Sequence, residues 1–311
     1  MVCILYVNAI GWLLGIAGTL VERVMPAGWS RRWVWCVVIL MSLFLPGYYR
    51  SHHATTVGDL GNATSTVPLD AGFWARIDAM DPTINRFWFV ASAVLILWTL
   101  ANAGWVSHAV QASRANKRGR GGPAVVDGVP VVVTESLGPA TVGLWRTSVL
   151  LPKWVLALPG AQRQYVVRHE EEHRRAHDGR LVFFASLLVI VAPWNLALWW
   201  QLRRLRLAVE MDCDDRVVRA LGDAPAYGNL LLKIAQAANR GPRLQPALLG
   251  GAGMLEQRLR LLMARAHMRL GHRVLITAAI GALLLVVLSM PHPVIGSHTH
   301  VATTTHAAHA P

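Results

Sequence analysis

Two histidines four residues apart open the chemical reading. The run Arg168-His169-Glu170-Glu171-Glu172-His173 sets His169 and His173 at i and i+4. On a helix, that spacing puts both imidazoles on one face, about one turn apart, so one ion can take a nitrogen from each. A glutamate directly after the first histidine can hold and deprotonate a water on that ion. Zn2+ in such a site lowers the pKa of its water toward about 7 and polarises a scissile carbonyl. The pattern points to peptide-bond hydrolysis with His169 and His173 as ligands and Glu170 as general base.

A catalytic zinc needs a third protein ligand and an open position. Asp178, five residues after His173, is badly spaced to share the ion along one helix. It is better placed to orient a histidine from behind. His177 lies on the same face as His169, but their Cα atoms are about 12 Å apart by helix rise, which favours a surface or supporting role. Downstream, Glu210-Met-Asp-Cys-Asp214 follows the basic stretch Arg203-Arg-Leu-Arg206. Glu210 and Asp214 are again i and i+4, so both can face the histidine helix, one as ligand and one as supporting acid. Without the upstream histidines, a charged helix face would explain the same residues.

The paired motifs resemble those of the BlaR/MecR-type membrane metallopeptidases, gluzincins named for a glutamate third ligand. Gly138-Pro-Ala-Thr-Val-Gly-Leu-Trp-Arg146 and Val149-Leu-Leu-Pro152 are similar to that family's approach to the zinc helix. Pro193-Trp-Asn195 and Leu255-Glu-Gln-Arg-Leu259 are similar to later segments, so the likeness covers about residues 85 to 265. The resemblance implies His169, His173 and Glu210 as zinc ligands, Glu170 as base, and Asp178 and Asp214 as supporting acids. It also implies proteolytic signalling, on a protein substrate such as a transcriptional repressor or on the chain itself. Antibiotic-sensing members carry a large penicillin-binding domain outside, after the last span. Only about 20 residues follow the last apolar run here, so the expectation is a chain lacking that sensor.

The elements that hold these residues are set by a bilayer. Hydrophobic residues are 54% of the 311 and charged residues 15%, a balance foreign to an ordinary soluble domain. Four runs are apolar enough for a helix of about 20 residues: about 3–20, 33–48, 87–106 and 274–290. The net charge of +13 sits beside these runs. It therefore reads as topology and contact with anionic headgroups, without direct nucleic-acid binding. The positive-inside rule makes the basic segments cytoplasmic, around Arg23 to Arg32, Arg114 to Arg120 and Arg265 to Arg273. The loop at about 51–86 and the carboxyl-terminal tail are then outside. Cys3, Cys36 and Cys213 form no CxxC pair, which argues against a disulfide framework or a cysteine-rich metal site.

Leu181 to Trp200 is apolar and lies between the two motifs. One crossing there would put Glu210 and His169 on opposite faces of the membrane. Pro193-Trp-Asn195 breaks the run, arginines flank both ends, and each half is too short to span. The segment is therefore expected to return as a re-entrant hairpin or to lie as a helix pair shallowly in the interface, with Trp194, Trp199 and Trp200 near the interface.

Val129-Pro-Val-Val-Val-Thr134 and Ala140 to Leu151 carry strand signals, and a helix is expected from about Ala161 to Asp178. Arg114 to Gly122 reads as a basic linker, and Ser297 to Pro311 as a low-complexity His-rich tail.

The expected architecture is a mainly α membrane protein with about four transmembrane helices and a re-entrant hairpin. It carries a cytoplasmic α+β gluzincin domain with a small β-sheet. Residues 1–106 form the membrane region, 107–272 the peptidase domain with its hairpin at about 181–200, and 273–311 the last span and tail. The expected location is a bacterial-type inner membrane, multi-pass, with the site facing the cytoplasm and a homodimer as an admissible assembly. The rival readings are a catalytically idle signalling protein that keeps a zinc site, and a metal-handling protein using His298, His300, His306 and His309.

Overall fold

The computed structural model describes residues 2–26, 28–53, 81–115, 122–134, 138–240, 252–263 and 270–290. Most of the loop at 51–86, the core of the basic linker and the His-rich tail lie outside the described residues. The helices are α1 Val2–Val24, α2 Arg32–His53, α3 Asp81–Ala115, α4 Lys153–Leu156, α5 Gly160–Ala176, α6 Asp178–Val191, α7 Leu196–Leu221, α8 Ala224–Arg240, α9 Ala252–Met263 and α10 Leu270–Ser289. Four strands, β1 Gly122–Val126, β2 Val129–Thr134, β3 Ala140–Val142 and β4 Ser148–Pro152, make one mixed sheet in the order β1-β2-β4-β3. β2 and β4 run parallel, and the outer pairs are antiparallel. The fold is thus mostly helical with a small sheet.

Among the described residues three helices are long and apolar enough to cross a membrane, at Ile4–Val24, Arg86–Trp105 and Gly271–Ser289. In α2 the apolar helix runs Arg32–Pro46, shorter than those three. Much of the apolar surface of α3 and α10 points outward: Leu97 is 66% exposed, Trp98 68% and Leu285 68%. Patches of that kind on a folded protein mark contact with lipid or a partner.

Two cores share one beam. The first packs Ile10 and Leu14 of α1, Trp35 and Ile39 of α2, and Val189 of α6 against Leu198, Leu202 and Leu205 of α7. The second packs Val149 and Leu151 of β4, Val155 of α4 and Val167 of α5 against Cys213 and Val217 of α7 and Tyr227, Leu230 and Leu231 of α8. α7 therefore runs from the apolar bundle into the mixed domain. Tyr227, Leu230, Leu231 and Ile234 recur at the spacing of one helix face, which is why α8 lies flat on this second core.

β1 pairs with β2 across Asp127-Gly128, whose φ values are 48° and 80°. That is the two-residue turn in which Asp-Gly fits the twist of a hairpin. β1 adds a strand beyond those expected from the sequence. Arg163 of α5 forms a two-pronged ion pair with Asp127, both contacts at 3.0 Å, and fastens the hairpin to the first turn of the histidine helix.

The histidine helix stops two residues before its expected end at Asp178. His177 is left-handed, with φ 57°, and its amide donates back to the Arg174 carbonyl. A left-handed residue after the last turn ends a helix, and Asp178 becomes the first residue of α6.

α6 and α7 form a hairpin. Asn195 accepts the Leu198 amide at 3.2 Å, as an N-cap does. At the other side of the turn, the Trp88 indole donates to the Val191 carbonyl at 2.7 Å and the Ser92 hydroxyl to the Ile190 carbonyl at 3.0 Å. α3 thus satisfies carbonyls that α6 leaves open. α1 closes the other flank at Gly15, where a Cβ would stand 2.3 Å from the Trp200 ring.

Candidate metal centre

α5 and α7 face each other, and the sequence-predicted residues meet between them. His169 Nε2 lies 3.2 Å from His173 Nε2. Glu210 Oε2 is 3.6 Å from His169 Nε2, and its Oε1 is 3.6 Å from His173 Nε2. A tetrahedral ion with bonds of about 2.0–2.1 Å holds its ligand atoms roughly 3.3 Å apart. The two nitrogens and the carboxylate fit that spacing.

The far side of each imidazole is held. His173 Nδ1 stands 2.9 Å from Asp178 Oδ2. An ionised carboxylate only accepts, so Nδ1 carries the proton and Nε2 is left with its lone pair. Asp178 is only 3% exposed and also takes Arg32 and, at 3.2 Å, Arg216. His169 Nδ1 lies 2.9 Å from the Tyr227 hydroxyl, which donates its own proton to Asp214 Oδ1 at 2.7 Å. That fixes the same tautomer on His169, with Nε2 turned to the shared point. Asp214 acts mainly through Tyr227, its Oδ1 being 3.6 Å from His169 Nδ1.

Cys213 is the neighbour that sequence reasoning did not single out. Its Sγ is 3.3 Å from His169 Nδ1, and its thiol donates to the His169 carbonyl, also at 3.3 Å. His169, His173 and Cys213 each offer one donor atom, all within 4.8 Å of one another.

Glu170 is 6% exposed. The Thr141 hydroxyl lies 2.7 Å from its carbonyl and 3.2 Å from its Oε2, which joins β3 to the histidine helix. The next two glutamates serve arginines: Glu171 pairs with Arg174 and Arg175, and Glu172 with Arg168 and Arg216. Among the described residues no arginine pairs with Glu170. Burial raises its carboxyl pKa above the usual range, against the pull of the two histidines. Burial opposes charge on His169 and His173, yet Cys213 and Glu210 outweigh it and raise both. Burial would also raise Glu210, but Arg258 and the histidines hold it well below the usual carboxylate range. His177 is exposed, with Nδ1 3.0 Å from the Arg175 carbonyl, away from the cluster.

The profile of the BlaR1 peptidase M56 family matches residues 17–262. The chain belongs to that family. The match opens within α1, closes in α9 and encloses both motifs. Among characterised proteins, the regulatory protein BlaR1 of Bacillus licheniformis is 28% identical over 111 residues. That stretch is 35% of this chain and 18% of the relative's length.

Four further side chains complete the centre of this M56 family member without having been read from the sequence. Arg258 forks onto Asp214, Nε to Oδ2 at 2.8 Å and Nη2 to Oδ1 at 2.7 Å, and reaches Glu210 Oε2 with Nη1 at 3.0 Å. Tyr227, Thr141 and Arg32 make the contacts already given. In the sequence Arg31 and Arg32 read as topology charges. Their backbone amides donate to Asp212 at 3.0 and 3.1 Å. For Arg258 and Thr141 a signal existed, since both fall within segments that carried the family resemblance.

Proposed function

We propose that the chain is a membrane-embedded, zinc-dependent endopeptidase with His169, His173 and Glu210 as ligands and Glu170 as general base. The observation that carries this reading is the convergence of two Nε2 lone pairs and one carboxylate, with both Nδ1 positions held from behind. A zinc ion bound there would supply a Lewis acid for the scissile carbonyl and acidify a water. Glu170 takes a proton from the attacking water and passes it to the leaving amine, and the burial that raises its pKa makes it a better base than a solvated carboxylate. Asp178 holds His173, and Asp214 through Tyr227 holds His169. β3 is an edge strand tied to Glu170 through Thr141, so an extended peptide can add to that edge and be presented to the site.

His169, His173 and Cys213 offer a second ligand set. Glu210 is favoured because both of its oxygens face the Nε2 atoms. The Cys213 sulfur faces an Nδ1 that Tyr227 already engages.

The hairpin supports a site at the membrane surface. The 14 residues of α6 from Asp178 to Val191 rise about 20 Å, short of the roughly 30 Å hydrocarbon core. Basic residues at both hairpin ends favour the cytoplasmic side. This gives a multi-pass protein with a membrane region at 1–106, a peptidase domain at 107–272 and a last span after it. The relative's name, a regulatory protein, supports signalling proteolysis, with a repressor or the chain itself as substrate. The alternative is an idle signalling or metal-handling protein that keeps the zinc site.

The test is metal content and cleavage in purified, detergent-solubilised protein, wild type against Glu170→Ala. Stoichiometric zinc in both, with cleavage in the wild type alone, is the expected result. Zinc without cleavage in either would favour the idle alternative. Folded wild type that holds no stoichiometric metal would end the reading.

A further inference from the structure

We propose that Arg258 is a positioning residue of the metal centre. Delivered by α9, it locks Glu210 and Asp214 into one arrangement and so sets the geometry of the third ligand. The proposal rests on the reading of Glu210 as that ligand.

Glu210 and Asp214 lie one turn apart on α7 and both point at the histidines. Two carboxylates taken out of water side by side repel, and each loses hydration. Among the described residues Arg258 is the arginine that reaches both, at 3.0 and 2.7 Å, while His169 stands 3.6 Å from each. Its side chain is 4% exposed, and its nitrogens divide between the two acids. Nη2, with Nε, grips Asp214, while Nη1 holds Glu210 Oε2. A planar guanidinium fixes the angle between two such partners, which a lysine ammonium cannot do. The Glu210 side chain is 24% exposed and would otherwise be free to swing between rotamers, a freedom that opposes any fixed ligand geometry.

The cation is placed by apolar packing. Leu255, Leu259 and Leu262 of α9 pack on the second core, at the spacing of one helix face. Leu259 and Met263 sit close against Gly228 of α8, where a Cβ would stand 3.0 Å from the Met263 terminal carbon. Arg258 projects from this docked helix, more than 40 residues downstream of the carboxylates it joins.

The experiment is a zinc competition titration against a chromophoric chelator, on the full chain in detergent, with melting of the metal-free protein measured alongside. Arg258→Lys is expected to keep its fold and to bind zinc about 10–100-fold more weakly, the usual effect of losing a partner behind a ligand. Glu210→Gln is the control for the ligand itself. A wild-type zinc Kd in Arg258→Lys with a weakened one in Glu210→Gln would overturn the positioning role and leave the ligand reading standing. A wild-type Kd in Glu210→Gln would overturn both. If Arg258→Lys does not fold, the neutral pair Arg258→Gln with Asp214→Asn takes its place, with Asp214→Asn alone as reference. Weaker zinc in the pair than in its reference supports the role, and equal zinc overturns it.

Discussion

Arg32 pairs with one oxygen of the Asp178 carboxylate while the other oxygen holds His173 Nδ1. Arg32 is the first residue of α2, and 146 residues separate it from Asp178. The start of a helix in the apolar bundle is therefore one ion pair away from a histidine of the metal centre. Arg32→Gln leaves Asp178 with Arg216 alone. It should weaken zinc binding by up to about tenfold, less than Asp178→Asn, which removes the partner of the histidine itself. Zinc titration of both variants checks the order. Equal and undiminished affinities would show that the contact is electrostatic padding.

Thr141 gives a prediction about rate without metal. Its hydroxyl reaches both the carbonyl and the carboxylate of Glu170. Thr141→Val keeps the shape and removes the donor. Turnover should fall about tenfold, less than the roughly 100-fold lower bound for a general acid–base group itself, because Thr141 acts only through Glu170, with zinc content unchanged. Steady-state kinetics with metal analysis on the same preparation would separate this from loss of the ion.

Tyr227 is 1% exposed and its hydroxyl stands between His169 and Asp214. Tyr227→Phe leaves two buried polar groups short of a partner, which costs about 1–3 kcal/mol. The melting temperature of the metal-free protein should drop, and zinc binding should weaken because the His169 tautomer is no longer fixed. A variant that melts and binds zinc as the wild type does would mean that water has taken the place of the hydroxyl.

Glu171 carries the clearest dependence of stability on pH. Its hydrogen bond from Arg174 is the main influence that holds its carboxyl below the usual range, with Arg175 adding to it against the effect of burial. A depressed folded pKa stabilises above the unfolded value of about 4.3 and loses that contribution as pH falls through the folded value. Glu171→Gln should lower the melting temperature at neutral pH, and the gap to wild type should close in acid below about pH 4. A gap that persists unchanged at the acid end would assign the effect to packing.

That the candidate site residues would come together was largely legible in the sequence, and the side chains that support them were not. His169 and His173 are a local pattern, so helix periodicity alone places them together. The break at Pro193-Trp-Asn195 is local too; α6 and α7 meet there, and Glu210 of α7 stands within 3.6 Å of both histidines. Arg258, Tyr227 and Arg32 reach the site from 13 to 180 residues away in the hydrogen-bonded pairs they make with Asp178, Asp212, His169 and Asp214. No spacing rule links residues so far apart. Each also had an ordinary meaning: a basic residue beside an apolar run, or an aromatic on an amphipathic face. The end of α5 comes two residues earlier than periodicity suggests because a left-handed histidine is a rarer stop than glycine.

The placement of Arg258 on α9 also gives the site a clock. A ribosome delivers the chain from its amino end at about 5–20 residues per second, so the helix with both histidines exists well before the arginine that braces their carboxylate partners. During that interval Glu210 and Asp214 repel each other and the third ligand has no fixed pose. On the zinc-peptidase proposal, a chain that has emerged only past Asp214 is then a poor protease, and its third ligand is braced only once α9 has followed.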